Sequence, residues 1–134
     1  VVEVSAAARA VALWAALLLL TLLGLSLAVV RQRQKHGVMF GDGGVPELSQ
    51  AIRAFGNAAE YIPPGLVGLT VMAMVGAPAL AVHAGGLVLF AGRAAHAVGL
   101  SRESGPSQLR SIGMVLTWVA YILIAVGLFI FAIG

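Results

Sequence analysis

Three stretches of the chain carry no charged side chain: Ala10 to Val30 (21 residues), Tyr61 to Gly92 (32 residues) and Ser111 to Gly134 (24 residues). About 20 apolar residues, rising about 1.5 Å each, fill a hydrocarbon core of about 30 Å, so the first and third runs each predict one membrane helix. The middle run is too long for one helix and predicts a fold-back.

Glycine, proline and polar clusters punctuate these runs into four helices. The first is expected over 5–34, ending in Arg31, Arg33 and Lys35. A secretory signal would have an apolar region of about 7–15 residues followed by a small-residue cleavage site, so the basic stop argues for a span. The chain opens without methionine, and a few preceding residues are expected to have been processed or trimmed. Gly37, Gly41, Gly43 and Gly44 mark a loop over His36 to Val45. Pro46 and Glu47 suit the first turn of a second helix, expected over 47–75 and bent at Pro63 and Pro64. Gly76, Ala77 and Pro78 turn the chain into a third helix over 78–100. Ser101 to Gln108, with Gly105 and Pro106, forms the next loop, and the fourth helix is expected over 107–134. The predicted fold is an all-α membrane protein, a single domain over 1–134 with four transmembrane helices running up-down-up-down.

Composition agrees. Hydrophobic residues make up 60% of the chain and charged residues 10%, with a mean hydropathy of +1.02, whereas soluble domains are about a quarter charged. The absence of cysteine excludes disulfides, thiolate metal sites and cysteine nucleophiles. Net charge is only +3, but its placement is uneven. Arg31, Arg33, Lys35, Arg53, Arg93, Arg102 and Arg110 all lie toward one end of the predicted bundle, and only Arg9 lies toward the other. The positive-inside rule then places both charged loops in the cytoplasm and both termini outside. Asp42, Glu47, Glu60 and Glu103 gather at the same end, so chemistry is expected there.

Ionisable groups within membrane helices are costly and mark candidate sites. Arg53, Asn57 and Glu60 fall at i, i+4 and i+7 on the second helix, on one stripe, and Arg93 and His96 share a face of the third. In an antiparallel hairpin turning about Gly76 and Ala77, Glu60 is level with Arg93, Asn57 with His96 and Arg53 with Leu100. Glu60 and Arg93 are therefore expected to pair, roughly 20 Å from the far surface. As a pair they read best as a structural staple for two buried charges. That leaves Arg53, Asn57 and His96 for an anionic polar ligand, with contacts from Arg53 and Arg31 to lipid phosphates as the competing reading. Arg110 in the first turn of the fourth helix opposes the helix dipole. An anion held by Arg110, the Ser111 hydroxyl and free backbone amides would resolve that conflict, and lipid headgroup contact is again the alternative.

Other features carry less. His83 and His96 lie about 220° apart around the third helix and cannot grip one metal, so no metal site is expected. Gly41 to Gly44 lacks the preceding strand and the lysine pattern of a phosphate loop. Ala81, Gly85 and Gly86, with Gly65 and Gly68, read as close helix packing within or between subunits.

The string from Arg53 through Asn57, Glu60 and Tyr61 to Pro63 resembles the R-A-x-x-N-x-x-E-Y-x-P signature of the MAPEG family, membrane-associated proteins in eicosanoid and glutathione metabolism. Gly92 to His96 looks like that family's third-helix motif, and Arg110 with Ser111 resembles the start of its fourth helix. The resemblance covers the chain from about Glu47 onward and suggests a bacterial-type member in an inner membrane. It implies a homotrimer with glutathione, as cosubstrate, between neighbouring subunits near the cytoplasmic surface. Carried over by position, Arg53, Asn57, Glu60, Tyr61, Arg93 and His96 would hold glutathione, and Arg110 would lie near its thiol. Phe55, Leu100 and Met114 replace polar or aromatic residues found in some members, so thiolate activation is expected to fall on Arg110 together with Ser111.

The resulting expectation is a glutathione-dependent transferase or peroxidase acting on lipophilic electrophiles or hydroperoxides, with membrane lipids as neighbours and no nucleic acid partner. A non-catalytic relative that binds a lipid or another anion is the alternative. A small multidrug transporter is disfavoured, because the first helix lacks an embedded carboxylate from Ala10 to Val30.

Overall fold

The computed structural model describes residues 3–102 and 105–133. Glu103, which the sequence places with the acidic cluster, and Gly134, expected at the end of the last helix, lie outside them. The chain forms four helices: α1 (Ala6–His36), α2 (Pro46–Met74), α3 (Ala79–Arg102) and α4 (Gln108–Ile133). Three of them, α1, α3 and α4, are long and apolar enough to cross a membrane. In α2, Glu47, Gln50, Arg53, Asn57 and Glu60 crowd the first half and dilute its apolar character.

Local chemistry sets the helix ends. The Ser5 hydroxyl accepts the Ala8 amide at 3.1 Å and caps α1, satisfying a donor that the first turn leaves free. Gly37 closes α1 in a left-handed conformation, φ 66°, beyond a last turn rich in Arg33, Lys35 and His36. Pro46 begins α2 where its missing N–H costs nothing, and the helix runs on through Pro63 and Pro64. Gly76, at φ 86°, turns α2 into α3.

Neighbouring helices pack antiparallel. Leu89 of α3 covers Gly65 of α2, and Leu69 of α2 lies against Gly85, which puts the hairpin register within one residue of that expected. Trp14 of α1 sits on Gly86, and Ile124 of α4 fills the space over Gly68 and Gly85. The expected small-residue packing at these four glycines is thus realised inside one subunit. The core is a thin seam: Trp14 and Leu18, Ile62, Leu69 and Met72, Val82 and Leu89, Ala120 and Ile124. The outward faces are apolar too, with Leu19, Leu20, Leu23, Ile122, Phe129 and Ile130 all exposed. That inverts the soluble arrangement and suits a surface surrounded by lipid.

The Trp14 indole N–H donates to His83 Nδ1 at 3.2 Å, and the two rings meet edge to face. His83 is therefore partnered inside the bundle and fastens α1 to α3.

Candidate functional site

Among the described residues the most extensive contact between helices is that of α3 with α4, and it sets the site. A Cβ on Gly92 would stand 2.8 Å from the Thr117 amide nitrogen, and one on Gly99 would stand 2.8 Å from that of Arg110. One on Gly113 would strike the backbone of His96. Three glycines thus bring the two backbones into contact, which sets His96 and Arg93 beside Arg110, Met114 and Thr117.

Arg93 is buried, with 1% of its surface exposed. Its Nε donates to Thr117 Oγ1 at 3.0 Å, Nη1 to Asn57 Oδ1 at 2.6 Å and Nη2 to Met114 Sδ at 3.4 Å. Its guanidinium also lies over the Tyr61 ring, 5.1 Å from the centroid. Thr117 in turn donates to the Gly113 carbonyl at 2.8 Å, and the Tyr121 hydroxyl donates to the Tyr61 carbonyl at 2.7 Å. One guanidinium therefore ties α2, α3 and α4 together with neutral acceptors.

The expected Glu60–Arg93 pair does not form. The depth was right and the direction was not. The buried line of α2 runs through Ala54, Ala58, Ile62, Gly65, Leu69 and Met72. At about 100° per residue, Asn57 and Tyr61 flank that line, about 100° and 60° from Ala58, whereas Arg53 and Glu60 lie about 140° and 160° away. Glu60 therefore faces outward, exposed, and the inward acceptor for Arg93 is Asn57.

Two cavities adjoin at the charged end. The first, about 390 Å³, is lined by Ser49, Gln50, Arg53, Asn57, His96 and Arg110, with Pro46 and Leu100. No carboxylate among the described residues lines it. The second, about 580 Å³, shares His96 and Arg110 but continues along Ser111, Met114, Val115 and Trp118 below the Gly105–Pro106 loop. A polar, cationic compartment thus joins one that turns apolar along Met114, Val115 and Trp118, with His96 and Arg110 at the junction. Such an arrangement accommodates an anionic polar molecule and a lipophilic one side by side.

Of the residues singled out in the sequence, Arg53, Asn57, His96, Arg110 and Ser111 line these cavities. Arg93 and Tyr61 stand behind Asn57 as its support, and Glu60 points away. The Arg110 guanidinium folds back to donate to the Gly105 carbonyl at 2.9 Å, and the Ser111 hydroxyl donates to Ser107 O at 3.3 Å. Gln50 donates to the Leu100 carbonyl and so fixes α2 to the end of α3. Thr117, Tyr121, Gln50 and Trp118 escaped the sequence reading. A signal for two of them was there: Arg110, Thr117 and Tyr121 recur at i, i+7 and i+11 along an otherwise apolar helix, marking its inward face.

The MAPEG family model matches residues 11–130. Two proteins named Inner membrane protein YecN, from Escherichia coli strain K12 and from Escherichia coli O6:H1, are each 45% identical to this chain over 112 residues, covering 84% of it and 84% of their own length. Their name gives a location and no reaction.

Proposed function

The chain belongs to the MAPEG family, and from that membership and the joined cavities we propose that it is a glutathione-dependent transferase or peroxidase acting on lipophilic electrophiles or hydroperoxides. The observation that carries the reading is the first cavity: Arg53, Arg110, Asn57 and His96 line it, with no carboxylate among the described residues, which suits a tripeptide with two carboxylates and an ionisable thiol. Arg53, Asn57 and His96 bind the peptide, while Arg93 and Tyr61 hold Asn57 in place. Arg110, at the junction, favours the thiolate by its charge, and Ser111 adds a donor beside it. The thiolate attacks the acceptor carbon and displaces its leaving group, or reduces the peroxide to an alcohol with glutathione disulfide and water as the other products when a second glutathione follows. The apolar compartment by Met114 and Trp118 supplies proximity for an acceptor dissolved in lipid.

The same reading takes α2 as a fourth span, with its outward Arg53 and Glu60 shielded from lipid by neighbouring copies in a homotrimer. An unpaired carboxylate facing hydrocarbon is costly, and a second copy of the chain removes that cost. The protein then sits in a bacterial inner membrane with both charged loops in the cytoplasm and both termini outside, as the concentration of cations at one end suggests.

Glutathione binding to the detergent-solubilised protein, measured together with conjugation of a generic aryl halide, tests this. Binding with turnover is expected. Arg53→Ala should weaken binding about 10- to 100-fold, the scale of a lost charge-assisted hydrogen bond of about 1.5–3 kcal/mol. Absence of binding would overturn the proposal. A second reading, a non-catalytic member that binds a lipid or another anion, has one observation in its favour. Arg110 and Ser111 are already engaged by the carbonyls of Gly105 and Ser107. Binding without turnover, and a thiolate absorbance unchanged by Arg110→Ala, would establish that reading instead.

A further inference from the structure

Gln50, which lines the first cavity, also lines a third one between α1, α2 and the end of α3, about 190 Å³ in volume. Its walls include Leu25, Ala28 and Gln32 of α1, Glu47 of α2 and Ser101 of α3. The Gln32 side-chain oxygen is buried without any hydrogen-bond partner. A buried acceptor left unpaired costs about 1–3 kcal/mol, so it points to a missing donor. Gln50 spends one of its two amide N–H groups on the Leu100 carbonyl and makes no bond to the Gln32 oxygen.

The charge of the lining narrows the donor. Arg31, Arg33, Lys35, Arg53 and Arg102 all belong to this end of the molecule, yet none of them lines the cavity, and Glu47 does. The Gln32 oxygen, the Glu47 carboxylate and the Ser101 hydroxyl can each accept a hydrogen bond around this small space, and Glu47 gives it a negative charge. A compact cation with several N–H donors matches them. We propose that this cavity binds a primary ammonium group. A quaternary ammonium has no N–H to give the Gln32 oxygen.

Depth favours a lipid source. Gln32 stands two residues past Val30, where the apolar run of α1 ends, which is about 3 Å beyond the hydrocarbon edge and level with headgroups. Leu25 and Ala28 continue the cavity wall toward the membrane interior, so an aminophospholipid such as phosphatidylethanolamine meets acceptors and apolar surface in the right order. A free alkylamine shares the chemistry. The inference does not depend on glutathione.

Thermal unfolding of the detergent-solubilised full chain tests it, with added phosphatidylethanolamine, phosphatidylcholine or ethylamine. Phosphatidylethanolamine at saturation is expected to raise the midpoint by about 5 °C through preferential binding to the folded state. Phosphatidylcholine should not. Glu47→Gln and, independently, Gln32→Leu should abolish the shift while each still unfolds cooperatively without lipid; Glu3→Gln, at the other end of the molecule, should retain it. A shift with ethylamine alone also supports the ammonium site and makes its source a free amine. No shift with either amine, an equal shift with phosphatidylcholine, or a shift that survives both Glu47→Gln and Gln32→Leu would overturn the proposal.

Discussion

Arg93 holds a buried positive charge with neutral groups alone: a hydroxyl, an amide, a thioether and an aromatic face. Each contact depends on the planar fork of the guanidinium, which an ammonium cannot reproduce. Thr117→Val keeps the volume and removes one acceptor. It should destabilise the protein by about 1–3 kcal/mol in detergent unfolding, and Arg93→Lys should cost at least as much. In the α1–α2 loop, Asp42 accepts the Gly44 amide at 3.0 Å, and this bond, followed by one from the Ser49 hydroxyl, holds its carboxyl below the ordinary value of 3.8. Because the folded value is the lower one, the stabilisation is present above pH 3.8 and is lost as pH falls through the depressed value. Hydrogen exchange should therefore show Gly44 protected at neutral pH and released on strong acidification, and Asp42→Ala should release it at neutral pH as well. At this scale the sequence revealed which residues matter more readily than whom they touch. Asn57, Arg93 and His96 stood out because polar groups in a membrane helix are costly. The partner of Arg93 turned on rotation about α2, which depth along the helix does not report.

The helices meet through glycine, in two different ways. At Gly65, Gly68, Gly85 and Gly86, side chains of Leu89, Ile124, Leu69 and Trp14 fill the vacant space. At Gly92, Gly99 and Gly113 the opposing backbone itself fills it. A side chain can shift, whereas a backbone moves only with its whole helix. Gly113→Ala is thus expected to push α3 from α4, costing about 1–3 kcal/mol and separating His96 from Arg110, so that ligand affinity falls together with the unfolding midpoint. Gly24→Ala is the contrasting change. A Cβ there meets nothing within 4 Å, and relief of glycine's conformational entropy should stabilise α1 by about 0.5–1 kcal/mol in the same measurement. The first group of glycines was legible in the sequence because each lies within a recognisable small-residue patch. The second was not, since Gly92 and Gly99 are a heptad apart and their counterpart Gly113 lies on another helix. Loops and turns were the most legible elements, because Ser5, Gly37, Pro46 and Gly76 each impose a specific backbone geometry.

As a whole the molecule is apolar at one end and polar at the other, and the cavities described above all lie at the polar end. If copies assemble so as to cover the outward Glu60, native mass spectrometry should show a three-chain species, and Glu60→Arg should shift it to single chains; a wild-type protein that remains a single chain counts against that assembly. The run lengths foretold four helices, and the crowding of cations foretold the end where His96 and Arg110 line their two cavities. Neither could foretell that a cationic cavity would open onto a wall of Met114, Val115 and Trp118, since that follows from how α2 and α4 rotate against α3. The two tryptophans fall on opposite sides of this division. Trp14 is 8% exposed and hydrogen-bonded to His83 in the packed seam, whereas Trp118 is 54% exposed on the wall of the apolar compartment. Their fluorescence therefore carries two separate signals: quenching by a brominated hydrophobic compound should fall on Trp118, while the emission of Trp14 should stay fixed until α1 parts from α3. Replacing either one with phenylalanine isolates the other, which gives the protein a built-in optical readout of both occupancy and integrity.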